Sequence, residues 1–328
     1  MNATIIGDGG WGTALALILE KNKHNVKVWG PFTDNILKIT SLKENQSFLP
    51  GIKIPESIKW TSDVIEASKN TDIFIIVVPS RFYRKTIELF SPYIPNNALI
   101  VSATKGLDVE KLSTMSSVVE EHINSSISVL SGPSHAEEAA KEIPSAVVVA
   151  NKDHIIAEKI QKIFMNDCFR VYTSNDVIGV ELGGALKNII AIAAGISDGL
   201  GYGDNTKAAL MTRGLAEITR LGIKMGSQVD TFSGLSGIGD LMVTCMSKHS
   251  RNRNAGERIG KGELLDNIIN KNLMAIEGVD NCHIAIKLAS KYQINLPIIN
   301  QVSLVIRNKV TPRDAMKELM NREPCSED

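Results

Sequence analysis

The pattern of strands and helices predicted by this 328-residue sequence changes at about Asp176. Before that point, short runs rich in β-branched residues alternate with amphipathic stretches, which favours a largely parallel, doubly wound sheet covered by helices. Residues 73–78 are continuously apolar, as is typical of a strand buried on both faces. The predicted strands are residues 4–6, 26–29, 72–78, 98–102, 128–131, 146–150 and 170–172. The predicted helices between them are residues 13–23, 81–90, 111–122 and 154–165.

After Asp176 only helical patterns follow, so the two parts of the chain should differ in fold class. The predicted helices are residues 177–197, 205–221, 263–270, 279–291 and 296–307. A length of 328 residues suits about two domains. We therefore expect an α/β, Rossmann-like doubly wound domain over residues 1–176 and an all-α domain over residues 177–328.

The composition is that of an ordinary globular protein, with 43% hydrophobic and 22% charged residues. Basic and acidic residues balance at 36 each, which argues against a nucleic-acid partner or an anionic membrane surface. No apolar run reaches the ~18 residues that indicate a membrane span, and no cleavable leader precedes the first strand. We therefore expect no membrane insertion.

The cysteines and histidines indicate neither a disulfide framework nor a metal site. The four cysteines are far apart in the sequence, which favours a reducing compartment, the cytoplasm. They are Cys168, Cys245, Cys282 and Cys325. The six histidines lack metal-like spacing, and no Gly-x-Ser-x-Gly motif points to a serine nucleophile.

The stretch at residues 7–12, GDGGWG, has the Gly-x-Gly-x-x-Gly spacing of a dinucleotide-binding loop. It follows the first predicted strand and opens a helix, where Gly7 permits the tight turn, Gly9 a close pyrophosphate and Gly12 close packing. A plain structural turn is the alternative. The second strand ends with neither the acid typical of NAD binding nor an arginine for NADP, since Asp34 comes late. The choice between NAD and NADP therefore stays open.

Lys187 lies in an apolar segment of small residues, 181–195, where a helix is predicted. Four small residues share its face on helical spacing, namely Gly183, Gly184, Ala191 and Ala194. This nearly bare face could accommodate a substrate and a nicotinamide ring. A buried ammonium loses its charge readily, with pKa shifts of up to ~3–5 units, so Lys187 is a candidate proton acceptor. The alternative is a lysine that extends to the surface from the edge of the helix.

Two further segments follow predicted strands, at the edge where open α/β sheets bind ligands. Residues 102–107, SATKGL, place Lys105 at the end of one strand, although a solvated lysine would explain it nearly as well. Residues 131–136, SGPSHA, supply Gly132 and Ser134 after another strand, where a binding loop and a bare turn are both open.

Two segments in the second half combine charge with turn-forming residues. The glycine-rich residues 234–239 lead to Asp240, which could cap the following helix or hold a lysine ammonium in place. Residues 247–254 concentrate cations, amides and hydroxyls in one turn, which suits a phosphate. A solvated basic loop is the alternative for this turn.

Six segments, in this order, resemble those of the NAD(P)-dependent glycerol-3-phosphate dehydrogenases of bacterial type. They are residues 7–12, 103–106, 131–134, 181–188, 237–240 and 250–253, and they span nearly the whole chain. The resemblance implies interconversion of sn-glycerol 3-phosphate and dihydroxyacetone phosphate by hydride transfer with NAD or NADP, which supplies phospholipid biosynthesis. It implies that Lys187 is the proton acceptor. Many relatives carry an arginine or a histidine where this chain has Pro31 and Phe32, which puts a preference for the 2′-phosphate in doubt.

The resemblance also implies three sets of site residues. Beside Lys187, the residues near the reacting atoms are Asp240, Asn188 and Thr244. The residues around the substrate are Lys105, Gly132, Ser134, Lys187, Asp240, Ser250, Arg251 and Asn252. With the glycine motif included, those at the dinucleotide are Gly7, Gly9, Gly10, Trp11, Gly12, Lys105, Ala136, Arg251 and Glu277.

Residues 1–176 are accordingly expected to bind the dinucleotide, and residues 177–328 to bind the substrate and carry catalysis. One alternative is a related β-hydroxyacid or sugar-acid dehydrogenase, against which the phosphate-suited turn argues. Another is a non-catalytic NAD-sensing regulator, against which Lys187, Lys105 and Asp240 argue. A homodimer is expected because the helical domain is apolar.

Overall fold

The computed structural model describes residues 1–270, 275–324 and 326 of the chain. Its first half is built on strands, which are β1 (Asn2–Ile6), β2 (Asn25–Trp29), β3 (Glu44–Asn45), β4 (Leu49–Lys53), β5 (Lys59–Thr61), β6 (Ile73–Ile76), β7 (Leu99–Ser102), β8 (Leu107–Asp108), β9 (Ser113–Thr114), β10 (Ile127–Ser131), β11 (Ser145–Ala150) and β12 (Phe169–Ser174). Eight of them form one sheet in the order β12-β11-β10-β7-β6-β1-β2-β5. All neighbours in it are parallel except β10 and β11.

Helices connect these strands and cover both faces of the sheet with apolar side chains. They are α1 (Gly10–Lys21), α2 (Thr33–Leu42), α3 (Val64–Ser68), α4 (Ser80–Phe90), α5 (Met115–His122), α6 (Ala136–Ala139) and α7 (His154–Phe164). In the register of the central strands, Ile6 lies beside both Trp29 of β2 and Ile76 of β6. The carboxyl ends of neighbouring parallel strands therefore meet at one edge, and the segments that follow them lie close together.

Every predicted strand is present, with its ends shifted by at most two residues. The helices at 13–23 and 81–90 are also confirmed, whereas the helix at 111–122 begins only at Met115. Strand β5 at the sheet edge, the hairpins β3–β4 and β8–β9 and the helices α2, α3 and α6 were not predicted. Most of these elements are too short to show a hydrophobic period.

The second half is helical, and no strand follows Ser174 in the part of the chain described. Its helices are α8 (Val177–Gly199), α9 (Asp204–Lys224), α10 (Val229–Phe232), α11 (Asp240–Met246), α12 (Arg251–Gly260), α13 (Leu265–Asn270), α14 (Glu277–Tyr292), α15 (Pro297–Ile306) and α16 (Pro312–Met320). Helix α8 begins after Asp176, whose carboxylate accepts hydrogen bonds from Gly179 N at 2.9 Å and Thr231 Oγ1 at 2.6 Å. The helices α10, α11, α12 and α16 were not predicted.

Helix α8 is the core of the helical part and is buried along almost its whole length. It crosses α12 so closely that a Cβ on Gly195 would collide with the backbone oxygen of Arg253. Over its 23 residues, α8 is long and apolar enough to cross a membrane, so the expectation that no run reaches that length was wrong. Because 94% of its most apolar window is buried inside the protein, the apolar run is explained by core packing.

Candidate active site

Lys187 lies in the middle of α8 with 5% of its surface exposed. Its ammonium donates to Asp240 Oδ1 and to Thr244 Oγ1, both at 2.6 Å. Burial lowers the pKa of Lys187 to about 8, with Asp240 opposing this shift and the charge of Lys105 adding to it. A lysine that extends to the surface is therefore excluded, and the ammonium can exchange a proton near neutral pH.

Asp240 joins two lysines, because its other oxygen, Oδ2, accepts from Lys105 Nζ at 2.8 Å. It is the first residue of α11, and Gly239 precedes it without any side-chain cap. The carboxylate is thus used to hold ammonium groups, and the alternative of a helix cap is wrong. A π-helical turn, Leu235–Gly239, directly precedes Asp240 and places its carboxylate between the two lysines.

Lys105 reaches Asp240 from the carboxyl end of the sheet, because it follows the central strand β7. Its ammonium also donates to Gly132 O at 2.8 Å and to Ser134 Oγ at 3.1 Å. Strands β7 and β10 are parallel neighbours, so the two segments that follow them meet. Gly132 has a φ of +135° and leaves no room for a side chain, since a Cβ would lie 2.9 Å from Val147 Cα. The solvated-lysine and bare-turn alternatives are therefore not supported here.

The small-residue face of α8 is filled by protein, contrary to the expectation that it is open to substrate and nicotinamide. A Cβ on Gly183 would collide with the backbone of Ser236, and one on Gly184 would approach Ser131 Oγ. Ala191 and Ala194 are fully buried. The small residues let the glycine-rich turn and the sheet edge approach α8, which brings their side chains to Lys187.

The glycine loop lies between β1 and α1, as the sequence predicted. Gly7 has a φ of +129°, and a Cβ there would lie 2.8 Å from Val77 O. A Cβ on Gly12 would collide with the oxygen of Gly7, so both glycines are required by packing. Gly9 has open space around it and precedes α1 without a side-chain cap. The start of α1, which no side chain of the described residues caps, and this open space fit the pyrophosphate of a dinucleotide.

Three more of the expected cofactor residues lie beside this sheet edge. Ala136 is near the loop, with its Cβ 3.7 Å from a Cβ built on Gly10. The buried indole nitrogen of Trp11 has no hydrogen-bond partner among the described residues, and its ring centroid lies 6.3 Å from that of Phe169. Glu277 accepts from the amide and the hydroxyl of Ser80, and burial raises the pKa of its carboxyl group.

The phosphate-suited turn is the start of α12. Ser250 caps this helix by accepting from Arg253 N at 3.2 Å, which leaves the hydroxyl hydrogen of Ser250 available for a ligand. Asn252 Nδ2 donates to Asn188 Oδ1 at 2.9 Å, so the turn is attached to the residue after Lys187. Arg251 is exposed and donates to Ala275 O at 3.0 Å. No hydrogen bond among the described residues joins Arg251 to the lysine pair.

Sequence reasoning missed Asn281, which joins the two lysine-bearing segments. This fully buried side chain donates to Ala185 O at 2.9 Å and accepts from Leu107 N at 3.2 Å. Its acceptor lies two residues before Lys187, and its donor lies two residues after Lys105. An isolated asparagine in a helix gives no local signal of such a role, so only the fold could reveal it.

No metal-ligating group of three or more His, Cys, Asp or Glu side chains occurs within residues 1–270 and 275–324. Cys168, Cys245 and Cys282 are free thiols, and Cys325 lies outside the described residues.

A doubly wound sheet with a glycine loop, facing a helical part that holds a buried lysine–aspartate pair, is the arrangement of a two-part, dinucleotide-dependent dehydrogenase. The chain belongs to the NAD-dependent glycerol-3-phosphate dehydrogenase family. The profile of the family's N-terminal part matches residues 2–157, and that of its C-terminal part matches residues 176–317. The family and the fold class expected from the sequence are thereby confirmed.

Individual relatives are similar to this chain over almost their full length. The glycerol-3-phosphate dehydrogenase [NAD(P)+] of Agathobacter rectalis is 47% identical over 320 residues, which are 97% of this chain and 95% of the relative. That of Bacillus velezensis is 48% identical over 97% of this chain and 93% of its own. The crystal structure of glycerol-3-phosphate dehydrogenase from Coxiella burnetii is 36% identical, with a TM-score of 0.95, and covers 98% of this chain and 99% of that one.

Proposed function

We propose that this protein interconverts sn-glycerol 3-phosphate and dihydroxyacetone phosphate with NAD(H) or NADP(H). The observation that carries the proposal is the buried Lys187, whose pKa of about 8 lets it exchange a proton near neutral pH. The relatives' activity supports the substrate and the cofactor. Glycerol 3-phosphate made in this way would supply phospholipid biosynthesis in the cytoplasm.

Lys187 accepts the proton of the C2 hydroxyl when glycerol 3-phosphate is oxidised, and returns it to the ketone oxygen in the reverse direction. Asp240 and Thr244 hold the ammonium in place. Asn188, the next residue of α8, accepts a hydrogen bond from Asn252 at the start of α12. Acid–base assistance of this kind is worth about 10²–10⁴ in rate. When bound, the nicotinamide supplies the site that accepts or donates the hydride.

The substrate phosphate is assigned to the start of α12. Ser250, Arg251 and Asn252 offer a hydroxyl, a guanidinium and an amide at the start of this helix, which together suit a dianion. Lys105, held by Gly132 and Ser134, supplies a second positive charge on the side of the sheet. Binding the phosphate at a distance from C2 aligns the reacting carbon with the cofactor.

The dinucleotide is assigned to the sheet edge. Its pyrophosphate would lie against the glycine loop, Gly7, Gly9, Gly10 and Gly12, at the start of α1. The remaining contacts are assigned to Trp11, Lys105, Ala136, Arg251 and Glu277. The open space at Gly9 supports this assignment.

The test is the consumption of NADH and NADPH by the pure protein with dihydroxyacetone phosphate, followed by absorbance. Turnover of neither cofactor would contradict the proposal, and turnover of hydroxycarboxylates instead would favour a β-hydroxyacid dehydrogenase. Lys187→Met should lower kcat by about 10²–10⁴ while dinucleotide affinity is kept. The exposed Lys152→Met is the matched control. An unchanged rate in Lys187→Met would refute the role of Lys187 and favour a non-catalytic sensor.

We further propose that the chain divides at Asp176 into a dinucleotide-binding domain, 1–176, and a catalytic domain, 177–328. The end of the last strand at Ser174 and the start of α8 at Val177 support this division. A homodimer is proposed through the helical part, where Val229 and Met246 are exposed apolar side chains. Expression of residues 1–176 alone tests the boundary, and sedimentation of the full chain tests the dimer.

A further inference from the structure

The end of β2 lies where a dinucleotide-binding sheet recognises the adenosine ribose. An acid at that point accepts a hydrogen bond from the 2′-hydroxyl of NAD, whereas an arginine accommodates the 2′-phosphate of NADP. Here β2 ends at Trp29 and is followed by Gly30, Pro31 and Phe32, which carry no charge. The residues that follow β2 therefore give no basis for a preference between NAD and NADP.

The structure supplies an acid to this point from another strand. Asp8, in the glycine loop after β1, places its carboxylate directly over Gly30, since a Cβ built there would lie 2.6 Å from Asp8 Oδ2. The register explains this approach, because Ile6 pairs with Trp29 and Gly7 N donates to Trp29 O at 2.9 Å. Gly30 lacks a side chain and so leaves the space that the carboxylate fills.

Asp8 is held firmly in this position. Asn35 Nδ2, in the first turn of α2, donates to Asp8 Oδ2 at 2.7 Å, and Asn45 Nδ2 donates to the backbone oxygen of Asp8 at 2.8 Å. Only 7% of the surface of Asp8 is exposed. Across the described ranges, 1–270 and 275–324, no lysine or arginine forms an ion pair with it. No positive charge therefore offsets the carboxylate.

We propose that Asp8 is the specificity-determining residue of the cofactor site and selects NAD(H) over NADP(H). Its carboxylate accepts a hydrogen bond from the 2′-hydroxyl of the adenosine ribose and repels a 2′-phosphate at the same place. The proposal rests on the proposed function, since it requires that the glycine loop bind a dinucleotide.

The experiment compares the binding of ADP-ribose and 2′-phospho-ADP-ribose to the full-length protein by calorimetry. These fragments contain no nicotinamide, so binding is measured without turnover. The wild-type protein should bind ADP-ribose at least about tenfold more tightly than the 2′-phosphorylated fragment, because like charges in contact are costly. Asp8→Asn keeps the size of the side chain and should reduce this ratio by about tenfold, mainly through tighter binding of the 2′-phospho fragment.

Asp34→Asn is the matched control, because it removes the same charge from an exposed position in the first turn of α2. In this variant, the ratio of the affinities for ADP-ribose and 2′-phospho-ADP-ribose should equal that of the wild type. Equal binding of both fragments by the wild type, or an unchanged ratio in Asp8→Asn and Asp8→Ala, would overturn the role of Asp8 alone. If the wild type bound neither fragment, the dinucleotide site itself, and with it the proposed function, would be refuted.

Discussion

Replacement of Asp240 by asparagine tests how the charge of Lys187 is controlled. Asp240 is 1% exposed, and its carboxylate contacts both Lys187 and Lys105. In Asp240→Asn, the buried ammonium of Lys187 and the partly buried ammonium of Lys105 face each other without an anion between them. Both the desolvation of Lys187 and the repulsion from Lys105 lower its pKa, so we expect that pKa to fall further below about 8.

The size of this fall can be bounded from the geometry. At 2.6 Å between Lys187 Nζ and Asp240 Oδ1, the attraction is at most about 6 kcal/mol for an effective dielectric constant of about 20. One pKa unit corresponds to about 1.4 kcal/mol, so the upper limit is about four units. Relaxation of the site and entry of water reduce this limit, and we expect a shift of about one to three units.

The assay is the pH profile of kcat/KM for reduction of dihydroxyacetone phosphate, which reports the pKa values of the free enzyme. Reduction needs a protonated Lys187, so the wild-type activity should fall as the pH rises through about 8. In Asp240→Asn this fall should begin at a lower pH. The rate of glycerol 3-phosphate oxidation, which increases as Lys187 loses its proton, should likewise begin to increase at a lower pH. Glu217→Gln, which neutralises a buried carboxylate beside Ile298, is the control. Coincident profiles for Asp240→Asn and wild type would refute the reasoning.

Three further changes test other parts of the structure. Burial raises the pKa of Glu181 from 4.5 to about 7, so its contribution to stability is present below about pH 4.5 and is lost as the pH rises through 7. Glu181→Gln can keep both contacts with Ser116 and should stabilise the protein at pH 8 by about 1–3 kcal/mol, with no gain at pH 4.5, in urea unfolding. Asn281→Ala should lower kcat by about tenfold with little change in dinucleotide Kd, because Asn281 joins the segments that carry Lys187 and Lys105. If kcat and the affinity for the dinucleotide fell by the same factor, Asn281 would have a merely structural role. Gly195→Ala should cost about 1–3 kcal/mol by separating α8 from α12, whereas Gly203→Ala, in open space, should cost much less in the same urea assay.

The sequence predicted those parts of the fold whose signal is local. The long strands of the sheet are rich in β-branched residues, and α8 is apolar over most of its length, so these elements were found. The edge strand β5 is only three residues long, and α12 begins with polar residues, so neither shows a hydrophobic period. The glycine loop was found because its spacing and its position after β1 are both visible in the chain.

The partners of the site residues could not be predicted, because each pair is brought together by the sheet register or by helix crossings. Asp8 and Gly30 are far apart in the sequence, and only the pairing of β1 with β2 puts the carboxylate at the end of β2. The bare face of α8 was misinterpreted for the same reason. Glycines that appear to leave space in one helix are the positions where other segments approach it.

The shared carboxylate also bears on the resting charge of Lys187. Two ammonium groups and one carboxylate give the buried cluster a formal charge of +1 when both lysines are protonated. Since burial penalises that charge, the pKa of Lys187 falls to about 8, and at neutral pH the proton is retained but easily lost. An anionic substrate supplies the negative charge that the cluster lacks, so its binding should raise the pKa of Lys187. The protonated lysine needed for ketone reduction is then favoured when a phosphorylated substrate is in place.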